Sequence, residues 1–170
     1  MSKKKVSAEV IAAGLLKFLE GFGQGQSGME QVERIIADLS EPDKANVRLE
    51  LKLLEVAAID YGVYDVLGNT PGKKAVLDAF YAFLRHESVR FFGCSPSVIA
   101  PKIIDRLSEY AKALKTPHEL GPFFMIGKTF SQFCSGKGDA NLAFIGSIFF
   151  QGKLQFLPLK NFLKDCEIEV

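Results

Sequence analysis

The stretch from Ser40 to Gly68, SEPDKANVRLELKLLEVAAIDYGVYDVLG, limits what this chain can fold into more than any other. Val47, Leu51, Leu54, Ala58 and Tyr61 step by four, three, four and three residues, the spacing of one stripe along an α-helix. Leu49, Leu53 and Val56 widen the stripe, and Arg48, Lys52 and Glu55 are expected on an opposite, solvated side. A stripe this wide predicts a helix touched by several neighbours rather than by one. Ser40 suits an N-cap, Pro42 and Asp43 suit a first turn, and Gly68 and Asn69 tolerate the positive φ that ends a helix. Gly62 offers an earlier end or a point of close packing.

The flanking sequence repeats the same grammar. A first helix is expected from Ser7, with Val10, Ile11, Leu15, Phe18, Leu19 and Phe22 on one face, ended by the glycines of Gly21-Phe22-Gly23-Gln24-Gly25. Ser27-x-x-Glu30 reads as a capping box opening a second. Thr70-Pro71, Ser95-Pro96 and Thr116-Pro117 read as three further starts, because proline fits the first helical turn. The Ser95 helix carries Pro101, as its true start or as a kink. Gly136-Lys137-Gly138 breaks the chain again, and Asp139 can cap a helix whose residues Leu142, Phe144, Ile145, Ile148, Phe149 and Phe150 are apolar nearly all round. The fold class is therefore all-α: a single compact bundle of about seven helices spanning residues 1–170, with the 40–68 helix buried at its centre. Residues 1–6 are expected to be a disordered basic tail. A short β-hairpin near 148–158 is the alternative to helix there, since Lys153-Leu154-Gln155-Phe156 alternates and Gln151-Gly152 can turn.

Composition excludes several classes of function. Formal net charge is +1, too small a basic excess for a dedicated nucleic-acid binder. Arg85, His86 and Arg90 beside Phe91 and Phe92 are read as a helix end and core-closing rings rather than a stacking platform. The 3 cysteines, Cys94, Cys134 and Cys166, are odd in number and far apart, which fits a reducing compartment and no disulfide framework. Lys3-Lys4-Lys5 begins like a secretory signal, but Glu9 and Lys17 interrupt the stretch from Val6 to Leu19. No run is read as a membrane span, and a cytoplasmic location is expected.

The chemical motifs fail on context. Gly23, Gly25 and Gly28 match a GxGxxG pattern, but a helix and not a strand precedes them. Gly121 to Lys128-Thr129 resembles a P-loop with five residues between its glycines instead of four, and Pro122, Phe123 and Phe124 are too bulky for a phosphate cradle. The catalytic candidates are Cys94, ahead of a helix N-terminus that favours a thiolate, and His86 as its base. The metal-ligand candidates are His86 and His118, the only histidines, with no second ligand at a telling spacing. Asp105 and Glu109 share a helical face with Lys102 and Arg106 and are read as solvated; Glu50 with Glu55, and Asp60 with Asp65, do not share a face.

Two readings of function remain. The first is a non-enzymatic helical module that binds a protein partner or itself as a homo-oligomer, because apolar residues in the C-terminal third outnumber what one small core requires. The alternative is a binding protein for an apolar small molecule such as a lipid, haem or pigment. Phe123, Phe124, Phe130, Phe133, Phe144, Phe149 and Phe150 would form either the interface or the pocket, with Gly127 and Gly146 leaving room. No cofactor is predicted outright; haem or lipid belongs to the second reading.

Overall fold

The computed structural model describes residues 4–20, 27–156, 159–163 and 166–169, and its fold is all-α. The elements are β1 (Lys4–Ser7), α1 (Ala8–Glu20), α2 (Ser27–Ala37), α3 (Glu41–Leu67), α4 (Pro71–His86), α5 (Ser88–Phe92), α6 (Pro96–Lys115), α7 (Pro122–Ser135), α8 (Ala140–Phe156), α9 (Leu159–Leu163) and β2 (Cys166–Glu169). The Gly23-Gln24-Gly25 segment and the Ser27 side chain of the expected capping box lie outside the described residues.

α3 is the axis. It starts where the sequence places it: the Asp43 amide donates to Ser40 Oγ at 3.4 Å, and Gly68 ends it with φ 60°. Gly62 lies within it and interrupts nothing. Each residue turns an α-helix by about 100°. Val47, Leu51, Leu54 and Ala58 therefore face one way, and Leu53, Val56, Ile59 and Val63 face roughly the other. Both sets are buried, in two separate half-cores. The first is closed by Ile11 and Leu15 of α1, Val76, Phe80 and Leu84 of α4, Ile99 and Ile103 of α6, and α9. The second is closed by Val32 and Ile36 of α2, Tyr110 and Ala113 of α6, Ile126 and Phe130 of α7, and Leu142, Ile145 and Phe150 of α8. Burying each such large aliphatic side chain is worth roughly 1.5–3 kcal/mol. The N-terminal half of α6 thus serves one half-core and its C-terminal half the other, with Leu107 packed against both.

Glu55 corrects the sequence reading. It is 0 % exposed, not solvated, because α8 covers the side of α3 on which the sequence pattern places charge. The tail is corrected as well. Lys4–Ser7 is a strand paired in parallel with Cys166–Glu169, register Val6 to Ile168 and Lys5 to Glu167. Val6 is buried, and Ile168 packs on Gly72 in the first turn of α4, where any Cβ would lie 3.2 Å from its Cδ1. Two strands alone are marginal, so this ribbon depends on the helices beneath it. The hairpin alternative fails: the chain is helical through Phe156. The Thr116-Pro117 start also fails. Thr116 caps the end of α6, and α7 begins later than expected, at Gly121-Pro122, with Gly121 at φ 84°. α5 is a short helix that the sequence reading does not include; Phe91 from it is buried in the first half-core.

α7 and α8 cross very closely. A Cβ on Gly127 would lie 2.0 Å from the Ala143 carbonyl oxygen, and one on Gly146 would lie 2.7 Å from the Phe130 ring. Ser147 Oγ donates to the Phe123 carbonyl across the same contact at 2.8 Å. These glycines admit a neighbouring helix and leave no room for a ligand. Residues Ala140–Leu163 are long and apolar enough, at mean hydropathy 1.3, to pass the length-and-composition test for a membrane span; 47 % of that window is buried inside the fold, and core helices pass the same test.

Gly127→Ala is expected to destabilise the protein by about 3 kcal/mol, since the added methyl meets backbone rather than a side chain that can turn away. Gly14→Ala, in α1 with nothing within 4 Å of the new methyl, is expected to stabilise it by roughly 0.5–1 kcal/mol. Urea unfolding of the two variants checks both signs.

Candidate functional site

Two charged groups of α3 are buried where the half-cores meet their neighbours. Glu50 accepts a two-pronged contact from Arg106 of α6, Nε to Oε2 and Nη2 to Oε1, both at 2.8 Å. The guanidinium also lies 3.5 Å above the Phe133 ring. This pair is well satisfied, and its geometry explains how a carboxylate can be 0 % exposed. Next to it, Asn46 donates to the Cys134 carbonyl at 2.9 Å, joining α3 to the end of α7. The Tyr110 hydroxyl is buried there without a hydrogen-bond partner among the described residues. Burial, followed by the Glu50 charge, holds both the Tyr110 phenol and the Cys134 thiol in their protonated forms.

Glu55 is held differently. Lys153 Nζ of α8 lies 2.7 Å from its Oε1, yet neither Glu55 oxygen accepts an aligned hydrogen bond among the described residues. The Lys153 ammonium lies 5.2 Å from the Phe18 ring centre and 5.4 Å from that of Phe149. Burial pushes the Glu55 carboxyl up from the ordinary 4.5 to about 7, against the weaker opposing pull of Lys153 and then Lys52.

Between α3, α6, α7 and α8 lies an open cleft of about 490 Å³. α3 lines it with Ala57, Asp60, Tyr61 and Tyr64, one helical face at i, i+3, i+4 and i+7. α6 lines it with Leu107, Tyr110, Ala111, Leu114 and Lys115. Pro122 and Phe123 of α7 and Phe150 of α8 form the far wall; the Phe123 and Phe150 ring centres are 5.9 Å apart, and Tyr61 and Phe150 6.1 Å. Beyond Leu107 a smaller pocket of about 260 Å³ opens between α4 and α6, lined by Tyr81 among others. The Tyr81 hydroxyl donates to Asp60 Oδ2 at 2.5 Å, so this hydrogen bond joins the walls of the two. Burial raises the Asp60 carboxyl above its usual range, partly offset by the Tyr81 hydrogen bond and then by the charge of Lys73. The chain has 4 tyrosines; Tyr61, Tyr64 and Tyr110 line the cleft, and Tyr81 is tied to its wall through Asp60.

The sequence candidates disperse. Phe123 and Phe150 reach the cleft. Phe130 and Phe149 fill the core, Phe133 lies under Arg106, and Phe124 stacks on His118 with ring centres 4.4 Å apart. Phe144 is 59 % exposed. Cys94 is half-buried between α5 and α6, and no hydrogen bond among the described residues joins it to His86, whose exposed ring lies 3.8 Å from Glu87. His118 is in the loop before α7, not at a helix start, and its Nδ1 accepts from the Leu120 amide at 3.1 Å. Among the described residues no three of His, Cys, Asp and Glu gather where a metal ion would be held. The P-loop-like run from Pro122 to Thr129 is helical, with Lys128 exposed. Sequence reasoning misses Asp60, Tyr64 and Ala111; the signal that finds them is the clustering of a scarce residue type, tyrosine, along facing helical stripes.

These features define an all-helical fold with an aromatic cleft beside a half-buried carboxylate. Comparison with protein-family models, with curated proteins and with solved structures gives no match to this chain.

Because the folded state keeps a proton on Glu55 that the unfolded chain releases, stability is expected to be greatest below pH 4.5 as far as this group is concerned. It should fall as pH rises through about 7, and be flat above, by on the order of 3 kcal/mol. Glu55→Gln removes this slope; urea midpoints measured across the window check it.

Proposed function

We propose that this protein is a binding module that holds an apolar small molecule in the cleft between α3, α6, α7 and α8. One observation carries the reading: Tyr61, Tyr64 and Tyr110, three of the chain's 4 tyrosines, close with Phe123 and Phe150 on a concavity of about 490 Å³. That volume falls within the roughly 300–1,000 Å³ typical of small-molecule sites, which are mostly apolar with a few placed polar groups. Here the polar groups are carried by Asp60, Tyr61, Tyr64 and Lys115. Titration with a neutral apolar dye, N-phenyl-1-naphthylamine, tests it. Saturable binding at one site is expected, weakened at least about tenfold by Ala111→Trp, which fills the cleft from its rim without touching either half-core. Unsaturable binding, or binding indifferent to Ala111→Trp, defeats the proposal.

A second reading, self-association, is favoured by Phe144 and Ile148, exposed one turn apart on the outer side of α8. Sedimentation velocity at about 100 µM is expected to show a dimer that Phe144→Glu dissociates. A monomer at that concentration ends this reading.

A further inference from the structure

We propose that the cleft selects a ligand with an organic ammonium head on its apolar body, the head seated between Asp60 and the tyrosine rings. This assignment rests on the reading of the cleft as a ligand site and names the chemistry of its occupant.

Asp60 is half-buried on the cleft wall, and its only side-chain hydrogen bond among the described residues comes from Tyr81 to Oδ2. Oδ1 accepts none, and no cation forms an ion pair with Asp60 within 4.0 Å among those residues. A carboxylate partly removed from water and left without a counter-charge carries part of its desolvation cost uncompensated, and a cation placed beside it relieves that cost. Glu50 and Glu55, the fully buried carboxylates of α3, each have a basic side chain in contact; Asp60 has only a neutral phenol. Burial has raised the Asp60 carboxyl accordingly.

The rings around Asp60 suit the same charge. Tyrosine and phenylalanine faces are electron-rich and attract ammonium groups, most strongly where water is excluded. Tyr61, Tyr64, Phe123 and Phe150 offer such rings along the cleft. One of them already does this within the protein: Lys73 Nζ lies 5.3 Å over the Tyr64 ring centre, hydrogen-bonded to Asn69 at 3.3 Å. Its charge is felt at Asp60 without pairing with it. Lys115 is exposed in the same lining, where its charge disfavours a second cationic group on the ligand.

Calorimetric titration with octylammonium, 1-octanol and octanoate tests this, because the three share a chain and differ in head charge. Octylammonium is expected to bind about tenfold tighter than octanol. Asp60→Asn, which keeps an acceptor for Tyr81, is expected to abolish that preference, bringing octylammonium down to the affinity of octanol for the same variant. Tyr64→Leu, at a more exposed position, should reduce the preference severalfold. Equal binding of octylammonium and octanol to the wild type, or tighter octanoate, overturns the ammonium assignment while the apolar-cleft reading survives. Failure of all three to bind overturns both. The wild-type selectivity decides the matter even where a variant fails to fold.

Discussion

Everything in this fold depends on one helix being buried on two opposite sides. A surface helix needs one apolar stripe; α3 carries two, and each collects its own set of neighbours. Since the two half-cores share α3, the two sets of helices packed on it are held in register by it. Between the stripes, two polar residues are cut off from water by the neighbouring helices. These are Glu50 and Glu55. Each needs a positive partner from another element, and α6 and α8 supply Arg106 and Lys153. Leaving either carboxylate buried without its partner would cost about 3–5 kcal/mol. The two pairs therefore restrict which faces of α6 and α8 can meet α3.

The cleft arises from the same arrangement. α6 passes from one half-core to the other, and Leu107, at the crossing, packs against both. The cleft lies beside that crossing, with Leu107 in its lining. That space coincides with the C-terminal half of α3, where the inward residues change from aliphatic ones to Asp60, Tyr61 and Tyr64. These bring polar tips and flat faces instead of close-packing methyl groups. The opening is thus written partly in topology and partly in residue choice.

Much of the helical framework is legible in the sequence because capping chemistry is local. Ser40, Thr70 and Asp139 make the bonds their spacing implies, and Gly68, Gly136 and Gly138 take the positive φ expected at chain reversals. The features that escape it depend on distant partners. Glu55 looks solvated because its neighbour Lys153 is far along the chain, and a charge on a helix normally marks its wet side. Lys4–Ser7 looks like a tail because its partner strand lies at the other terminus. Thr116-Pro117 looks like a helix start, but Gly121-Pro122 comes next with the same signal and is the one used. The phenylalanines of the C-terminal third read alike in sequence, yet of the seven candidates only Phe123 and Phe150 open onto the cleft. Periodicity says which face of a helix is apolar; it does not say whether that face meets a full core or a gap.

The close crossing of α7 and α8 gives the cleft an asymmetric character. Gly127 and Gly146 let the two backbones approach until one added methyl would collide, and the Ser147 hydroxyl ties α8 to the carbonyl of Phe123 itself. Phe123 and Phe150 are therefore presented by a pair of helices with little freedom to separate. The facing side is different: Tyr64 sits exposed in the last turn of α3, and Lys115 in the last turn of α6. Helix ends fray more readily than helix centres. For the ligand site proposed above, an aromatic wall held this closely would lower the ordering cost of binding. The glycine crossing thus decides where the Phe123 and Phe150 rings are held, and with them the shape of that wall.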